Sequence, residues 1–366
     1  MRWRLDTLVD SQLVTRVILF EGFVLAVCVL LIFGHALGVR WYEFHYAPRL
    51  SRAQEFVTQL LDSDDALEQV QTCQSAGSLE AVAGLPVRLQ TRVLVALARN
   101  LSGRQKEAVS ALAARTGLTA QVECRLQSVW WWRRLYAARL LTVLGVGESA
   151  IPKLLKDRHI LVRAQGAEWA SRYPKPELME ALLSLLEDSS KLCRFTSQDS
   201  LLILGVVAVP YIADYISGQS RPGLEAALEV AVGLAEPRFL QPALNLCDHS
   251  APSVRVLAAR LLGRIGGKDA VAALKGLLND TQGAVRAAAA RALGKLGEWP
   301  SAPALALFLR DPAWDVRREA GLALRSLGSP GILLLRRYLT DQDRFARDMA
   351  RQILEIPDSA LARAVS

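Results

Sequence analysis

Cysteine and histidine are scarce in this chain of 366 residues: five cysteines (Cys28, Cys73, Cys124, Cys193 and Cys247) and four histidines (His35, His45, His159 and His249). Dozens of residues separate the cysteines and their total is odd, which suits neither a disulfide framework nor a zinc module, so they read as core thiols. No HExxH or HxH arrangement occurs, so a multi-histidine metal site lacks raw material. A GxSxG nucleophile elbow, a paired-carboxylate signature and a Cys-His site are missing too. Gly145-Val146-Gly147 and Gly263 to Lys268 superficially resemble phosphate loops, but neither follows a strand or completes a P-loop, and both read as helix caps. The expectation is a protein without catalytic residues, metal or cofactor. Lysine is rare as well, with 36 arginines to 8 lysines, an imbalance that can lift the net charge to +8 without any ligand. With 51% hydrophobic and 22% charged residues the bulk must be globular, in about two or three folding units.

What stands out first is an apolar run from Val17 to Val39, interrupted only by Glu21 and His35. At about 1.5 Å rise per residue it reaches roughly 34 Å as a helix, enough to cross a hydrocarbon core of about 30 Å. Arg16 and Arg40 bracket it, and Trp41 and Tyr42 follow where interfacial aromatics belong. A single transmembrane helix is expected; a cleaved signal peptide is the rival, although the run is longer than a usual signal core. Gly34 with Gly38, and Gly22 with Ala26, have the small-xxx-small spacing that lets a second helix approach closely, but glycine is also simply common in such helices. Leu5, Leu8, Val9 and Leu13 fall at helical spacing upstream, as an interfacial helix or an extension of the span.

The second feature is repetition. Val254-Arg255, Val285-Arg286 and Val316-Arg317 recur with a period of 31, each after an aspartate (Asp248, Asp280, Asp311) and twelve residues before a glycine (Gly266, Gly297, Gly328). The phase continues to Asp341 with Arg347, and backward through Asp188 with Arg194, Asp157 with Arg163, and Arg134; a unit around Leu224-Glu225 has lost its arginine. The glycines can take positive φ and end a helix, and segments such as Asp269 to Leu278 fit a second amphipathic helix. Each unit is therefore two antiparallel helices that can bury their apolar faces only by stacking on neighbours.

The pattern D-x(4)-VR-x(2)-A-x(7)-G, with one extra residue after Asp248, resembles the HEAT-like repeats of the bilin-lyase type over residues 129–356. The resemblance implies an arginine–aspartate ladder linking adjacent units, carried by Asp157, Asp188, Asp248, Asp280, Asp311 and Asp341 and by Arg134, Arg163, Arg194, Arg255, Arg286, Arg317 and Arg347. A guanidinium with five donors can bridge a carboxylate and free carbonyls at once, so the role would be structural.

The expected fold is all-α, an α-solenoid of HEAT-like helical hairpins preceded by a single transmembrane helix. Its parts are an amphipathic tail (1–16), the span (17–39), a degenerate helical N-terminal part of the solenoid (40–128), the repeats (129–356) and a C-terminal tail (357–366). Charge is uneven: residues 129–175 hold nine basic and three acidic side chains, 176–250 four and ten, and 251–366 eighteen and eleven. Trp130-Trp131-Trp132 cannot all face one core stripe, because consecutive helix positions turn about 100°. At least one ring is left for an edge or an interface, packed against the degenerate N-terminal helices or in contact with lipid or a partner.

Together these features suggest a non-catalytic, membrane-anchored scaffold in the inner (plasma) membrane, its solenoid cytoplasmic, binding a protein partner. The architecture resembles bacterial membrane-anchored HEAT-repeat proteins that accompany membrane glycosyltransferases in exopolysaccharide production. The recognition surface is placed at Arg260, Arg264, Arg291 and Lys295, which should point away from the stack; in earlier units the matching sites of Arg260 and Arg291 are Glu168, Asp199 and Val230. A solvated polar face is the plain alternative for these four. A bilin-lyase-like or other enzyme on a HEAT-like scaffold and a nucleic-acid-binding HEAT-like protein are the alternative functions.

Overall fold

A computed structural model of the chain describes residues 11–63, 65–72 and 76–357, and every regular element among them is helical. Residues 1–10 and 358–366 of the expected tails, and Cys73, lie outside the described residues. The chain divides into two compact units, residues 1–127 with 139–147, and residues 128–138 with 148–366.

The first unit is built on α1 (Ser11–Leu61), one helix that runs unbroken through the expected boundary at residue 39 with Pro48 inside it. Every side chain from Ile18 to Trp41 is exposed, and the stretch Ile18–Tyr42 is long and apolar enough to cross a membrane, with a mean hydropathy of 2.4. Leu25, Leu30, Leu31 and Phe33 are among the large apolar groups that would otherwise meet water. The last turns behave differently: Ala53, Val57, Leu60 and Leu61, at spacings of four, three and one, are buried where α2 (Ala66–Gln71), α3 (Ala76–Ala83) and α4 (Val87–Ala98) pack on α1. α5 (Gly103–Arg115) and α6 (Leu118–Cys124) follow, with the second half of α7 (Trp131–Leu144). Gln105 Nε2 donates to the Leu61 carbonyl at 3.0 Å and Ser110 Oγ to that of Leu144 at 2.6 Å, so polar side chains terminate helices elsewhere in the unit.

The second unit is a two-layered stack of hairpins. One layer holds α9 (Ile160–Ala170), α11 (Lys191–Leu204), α13 (Leu224–Leu234), α15 (Pro252–Ile265), α17 (Gly283–Lys295), α19 (Trp314–Ser326) and α21 (Arg344–Glu355), each against the next. The other holds α8 (Ile151–Leu155), α10 (Pro176–Leu185), α12 (Val209–Ser217), α14 (Leu240–Asn245), α16 (Lys268–Leu277), α18 (Ala302–Leu307) and α20 (Ser329–Tyr338). Proline occupies the first turn of several helices, including α10, α12, α15 and α20, where its missing donor costs nothing. Gly266, Gly297 and Gly328 have φ of 75°, 65° and 73°, the positive φ expected of them where a helix ends. Gly263 is not a cap: it is buried inside α15, and a Cβ there would lie 2.5 Å from that of Ala292. Gly294 repeats the arrangement on α17, 2.7 Å from the Cα of Ala323. The residues 31 apart thus mark where successive helices cross almost backbone to backbone.

The ladder is present but shorter than the resemblance implies. Four rungs are bidentate: Arg134–Asp157, Arg163–Asp188, Arg255–Asp280 and Arg286–Asp311, with Nε to Oδ2 distances of 2.7, 2.7, 2.6 and 2.7 Å. In each of the first-named arginines Nη1 also donates to a backbone carbonyl at the start of its own helix, for example Arg286 to Asp280 O at 2.8 Å. The aspartate in turn accepts a main-chain N–H two residues on, as Asp311 does from Ala313 at 2.8 Å. Asp248 takes no such place. Arg255 reaches back to His249 O at 2.7 Å, and His249 Nδ1 accepts the Ala251 N–H at 3.1 Å, so the histidine occupies the ladder position. Asp341 pairs with Arg310, not Arg317 (3.1 and 2.5 Å). Arg317 keeps only the carbonyls of Asp311 and Pro312, and its guanidinium lies 5.0 Å from the Phe345 ring. Arg194 and Arg347 likewise hold backbone carbonyls.

The cysteines correct another expectation. Cys193 is buried, but Cys247 is half-buried and Cys28 and Cys124 are exposed, so the thiols are not all core residues.

Candidate partner-binding surface

α15 and α17 present parallel faces because their inward sides are fixed by the same register. Val254, Ala258 and Leu261 are buried on α15, and Val285, Ala289 and Ala292 on α17. Helical geometry then turns Arg260 and Arg264 outward one turn apart on the first helix, and Arg291 and Lys295 one turn apart on the second. All four are exposed. Neither Arg260 nor Arg264 has a side-chain partner among the described residues.

Arg291 is held from below. Its Nε and Nη2 each lie 2.8 Å from the carboxylate of Glu319 on α19, which is only 4% exposed and also receives Arg318 at 2.9 Å. The Glu319 hydrogen bond raises the Arg291 pKa against the opposing effect of burial. A planar guanidinium gripped on one edge retains donors on the other, so Arg291 is oriented, whereas no side chain among the described residues holds Arg260 or Arg264. Sequence reasoning missed Glu319 because it sits 28 residues after Arg291, one turn short of the repeat. The available signal was an acid directly before the core position Ala320.

At the preceding level of the stack, Val230, which matches Arg260 in the repeat, is buried. Gln198 Nε2 donates to Glu229 Oε2 at 2.8 Å and to the Ala226 carbonyl at 3.0 Å. The three tryptophans are all partly exposed: Trp131 stacks on His159 at 4.1 Å, and Trp130 lies 4.6 Å from Trp132.

The expected helix-packing residues of the span are open. Gly22, Ala26, Gly34 and Gly38 are exposed, and a Cβ on any of the three glycines would meet nothing within 4 Å. No group of three or more potential metal ligands occurs among the described residues.

A family model of HEAT repeats matches residues 239–325, from α14 to the end of α19. No curated protein matches the chain. Among solved structures, the karyopherin Kap121p bound to the extreme C-terminus of the protein phosphatase Cdc14p has a TM-score of 0.50 and 14% identity, over 83% of this chain and 41% of the karyopherin. An engineered protein has a TM-score of 0.36 and 19% identity, over 83% of this chain and 98% of its own. A chain of the CpcE and CpcF complex of phycocyanin lyase from Nostoc sp. has 0.31 and 19%, over 68% and 94%. At such identities the likeness concerns the fold alone. Residues 239–325 are HEAT repeats, carried within an α-solenoid of HEAT-like helical hairpins.

Proposed function

We propose that the protein is a membrane-anchored scaffold that holds a partner protein against the basic face of α15 and α17. The observation that carries this reading is the exposed quartet Arg260, Arg264, Arg291 and Lys295 on the best-formed repeats. Exposed arginines on a regular helical array favour an acidic protein surface and steer its approach. Glu319 adds orientation, because a guanidinium already fixed in place loses less entropy on binding. The apolar stretch Ile18–Tyr42 is the anchor, a single pass through the plasma membrane with the repeats on the cytoplasmic side. The partner is then a membrane protein or complex with an acidic cytoplasmic surface, and a membrane glycosyltransferase of exopolysaccharide assembly is the first candidate.

A photo-crosslinking residue at position 264, activated in native membranes, tests the reading. Crosslinking to one acidic membrane protein, suppressed by salt, supports it; crosslinking confined to lipid or to nucleic acid contradicts it.

A further inference from the structure

α1 and α4 line an open cavity of about 880 Å³ in the first unit. Its volume falls within the range of small-molecule sites, about 300–1,000 Å³. One wall is α1 from Gly34, in the apolar stretch, to Leu50; the other is α4, with buried Leu89 and with Arg88 and Arg92 one turn apart. The absence of side chains at Gly34 and Gly38 leaves the apolar end open, and Tyr42 and Tyr46, with ring centroids 4.8 Å apart, follow on the next turns of α1.

The charges are the telling part. Arg88 and Arg92 are exposed, neither has a side-chain partner among the described residues, and no carboxylate lines the cavity. Like charges one turn apart repel, so the free protein carries an unfavourable pair that a single anion would relieve. Along α1 the cavity therefore runs from the apolar turns of Gly34 and Gly38 to the aromatic turns of Tyr42 and Tyr46, and the α4 wall adds two cations. Lipid has the same sequence of chemistries: acyl chain, glycerol ester level and phosphate.

We propose that this cavity binds one anionic phospholipid, its phosphate held by Arg88 and Arg92 and an acyl chain lying along Gly34 and Gly38. The proposal rests on the reading of Ile18–Tyr42 as a membrane span, which sets Tyr42 and Tyr46 at the headgroup layer. Tyrosine is enriched there, and basic pockets beside spanning helices are a recurrent means of holding acidic headgroups. A bound lipid would tie α4 to the membrane surface and fix how the first unit leaves the bilayer.

The test uses the full chain, purified in mild detergent and studied by native mass spectrometry with phosphatidylglycerol or phosphatidylcholine added in equal amounts. Alkaline carbonate extraction of native membranes is run in parallel. The wild type should retain one phosphatidylglycerol at least fivefold more than phosphatidylcholine. R88Q/R92Q should abolish that preference, while R99Q, which removes an exposed charge at the other end of α4 outside the cavity, should keep it. Equal retention of the two lipids, or preference surviving in R88Q/R92Q, overturns the proposal. Displacement of the lipid by millimolar inorganic phosphate would make the site one for a free anion and also overturn it. So would a dimer that depends on Gly34 and Gly38 but not on the arginines, since the cavity would then belong to a second helix. Release of the protein by carbonate would instead remove the span reading, an outcome separable from all of these.

Discussion

Arg255 donates to the backbone carbonyl of His249 at 2.7 Å, six residues back, the same span that separates Arg286 from Asp280. That contact places His249, not Asp248, at the ladder position of its unit. Glu225 stands where the preceding unit would supply the arginine, and it accepts a hydrogen bond from Ser253 instead. The central gap in the ladder thus spans two rungs, Arg194 holding only backbone carbonyls and the next rung having both members replaced, while the imidazole accepts the Ala251 N–H and lies 3.0 Å from the Gln219 carbonyl.

Restoring the rung should therefore require both changes. E225R and H249D alone each add an unmatched charge and should lower the melting temperature, whereas E225R/H249D should recover it. The coupling from a double-mutant cycle is expected at about 1 kcal/mol or more, within the range for side chains in contact. Additive effects would mean that the two positions do not meet.

The intact rungs predict the acid limb of stability. The Arg255 guanidinium holds the Asp280 carboxyl below its ordinary value of 3.8 against the effect of burial. For Asp157 burial pushes upward most strongly, but Arg134 and the His159 N–H together outweigh it, and Asp188 follows the same balance with Arg163. Carboxyls depressed in the folded state stabilise fully above the unfolded pKa and lose that contribution as pH falls through the folded one. Thermal stability should decline steeply below about pH 4. D280N should cost about 1.5–3 kcal/mol at neutral pH, as for hydrogen bonds to a charged group, and the gap to the wild type should narrow at pH 3. A gap independent of pH would contradict the assignment.

Close helix crossings give a prediction of opposite signs. G294A sets a methyl against Ala323 and should destabilise by about 1–3 kcal/mol. Gly276 lies inside α16, where an added methyl would meet nothing within 4 Å, and should behave oppositely, G276A stabilising by about 0.5–1 kcal/mol. Melting temperatures of the two variants, read side by side, decide it.

How far the architecture could be read from residues varies along the chain. Val254-Arg255, Val285-Arg286 and their glycines recur at 31 because each unit solves the same packing problem, so the hairpins of the second unit were legible down to their caps. The rung partners were less so, since a histidine can accept the N–H that an aspartate accepts, and Arg310 can reach the aspartate meant for Arg317. The first unit shows no period because its helices differ in length and neighbour, and α1 hides its own boundary by continuing from an exposed apolar stretch into buried Ala53 and Val57. At the basic face, Arg260 and Arg264 followed from helical spacing alone, but Glu319 under Arg291 needed the offset between helices, which no linear pattern carries.

Topology has a native probe. Cys124 is exposed in the first unit, and a membrane-impermeant thiol reagent should leave it unlabelled in intact cells and label it after permeabilisation. Labelling in intact cells, absent from C124S, would put this unit on the outer side.

The most direct test of the scaffold reading is partner capture by a charge-reversed face. In native membranes, R260E/R264E should lower crosslinked partner at least tenfold with an unchanged melting temperature, because neither arginine has a side-chain partner among the described residues. The wild-type yield should fall on raising salt from 0.05 to 0.5 M (chosen test concentrations, about 14 to about 4 Å of screening length). Undiminished capture by R260E/R264E, in a protein that melts as the wild type does, would contradict the account.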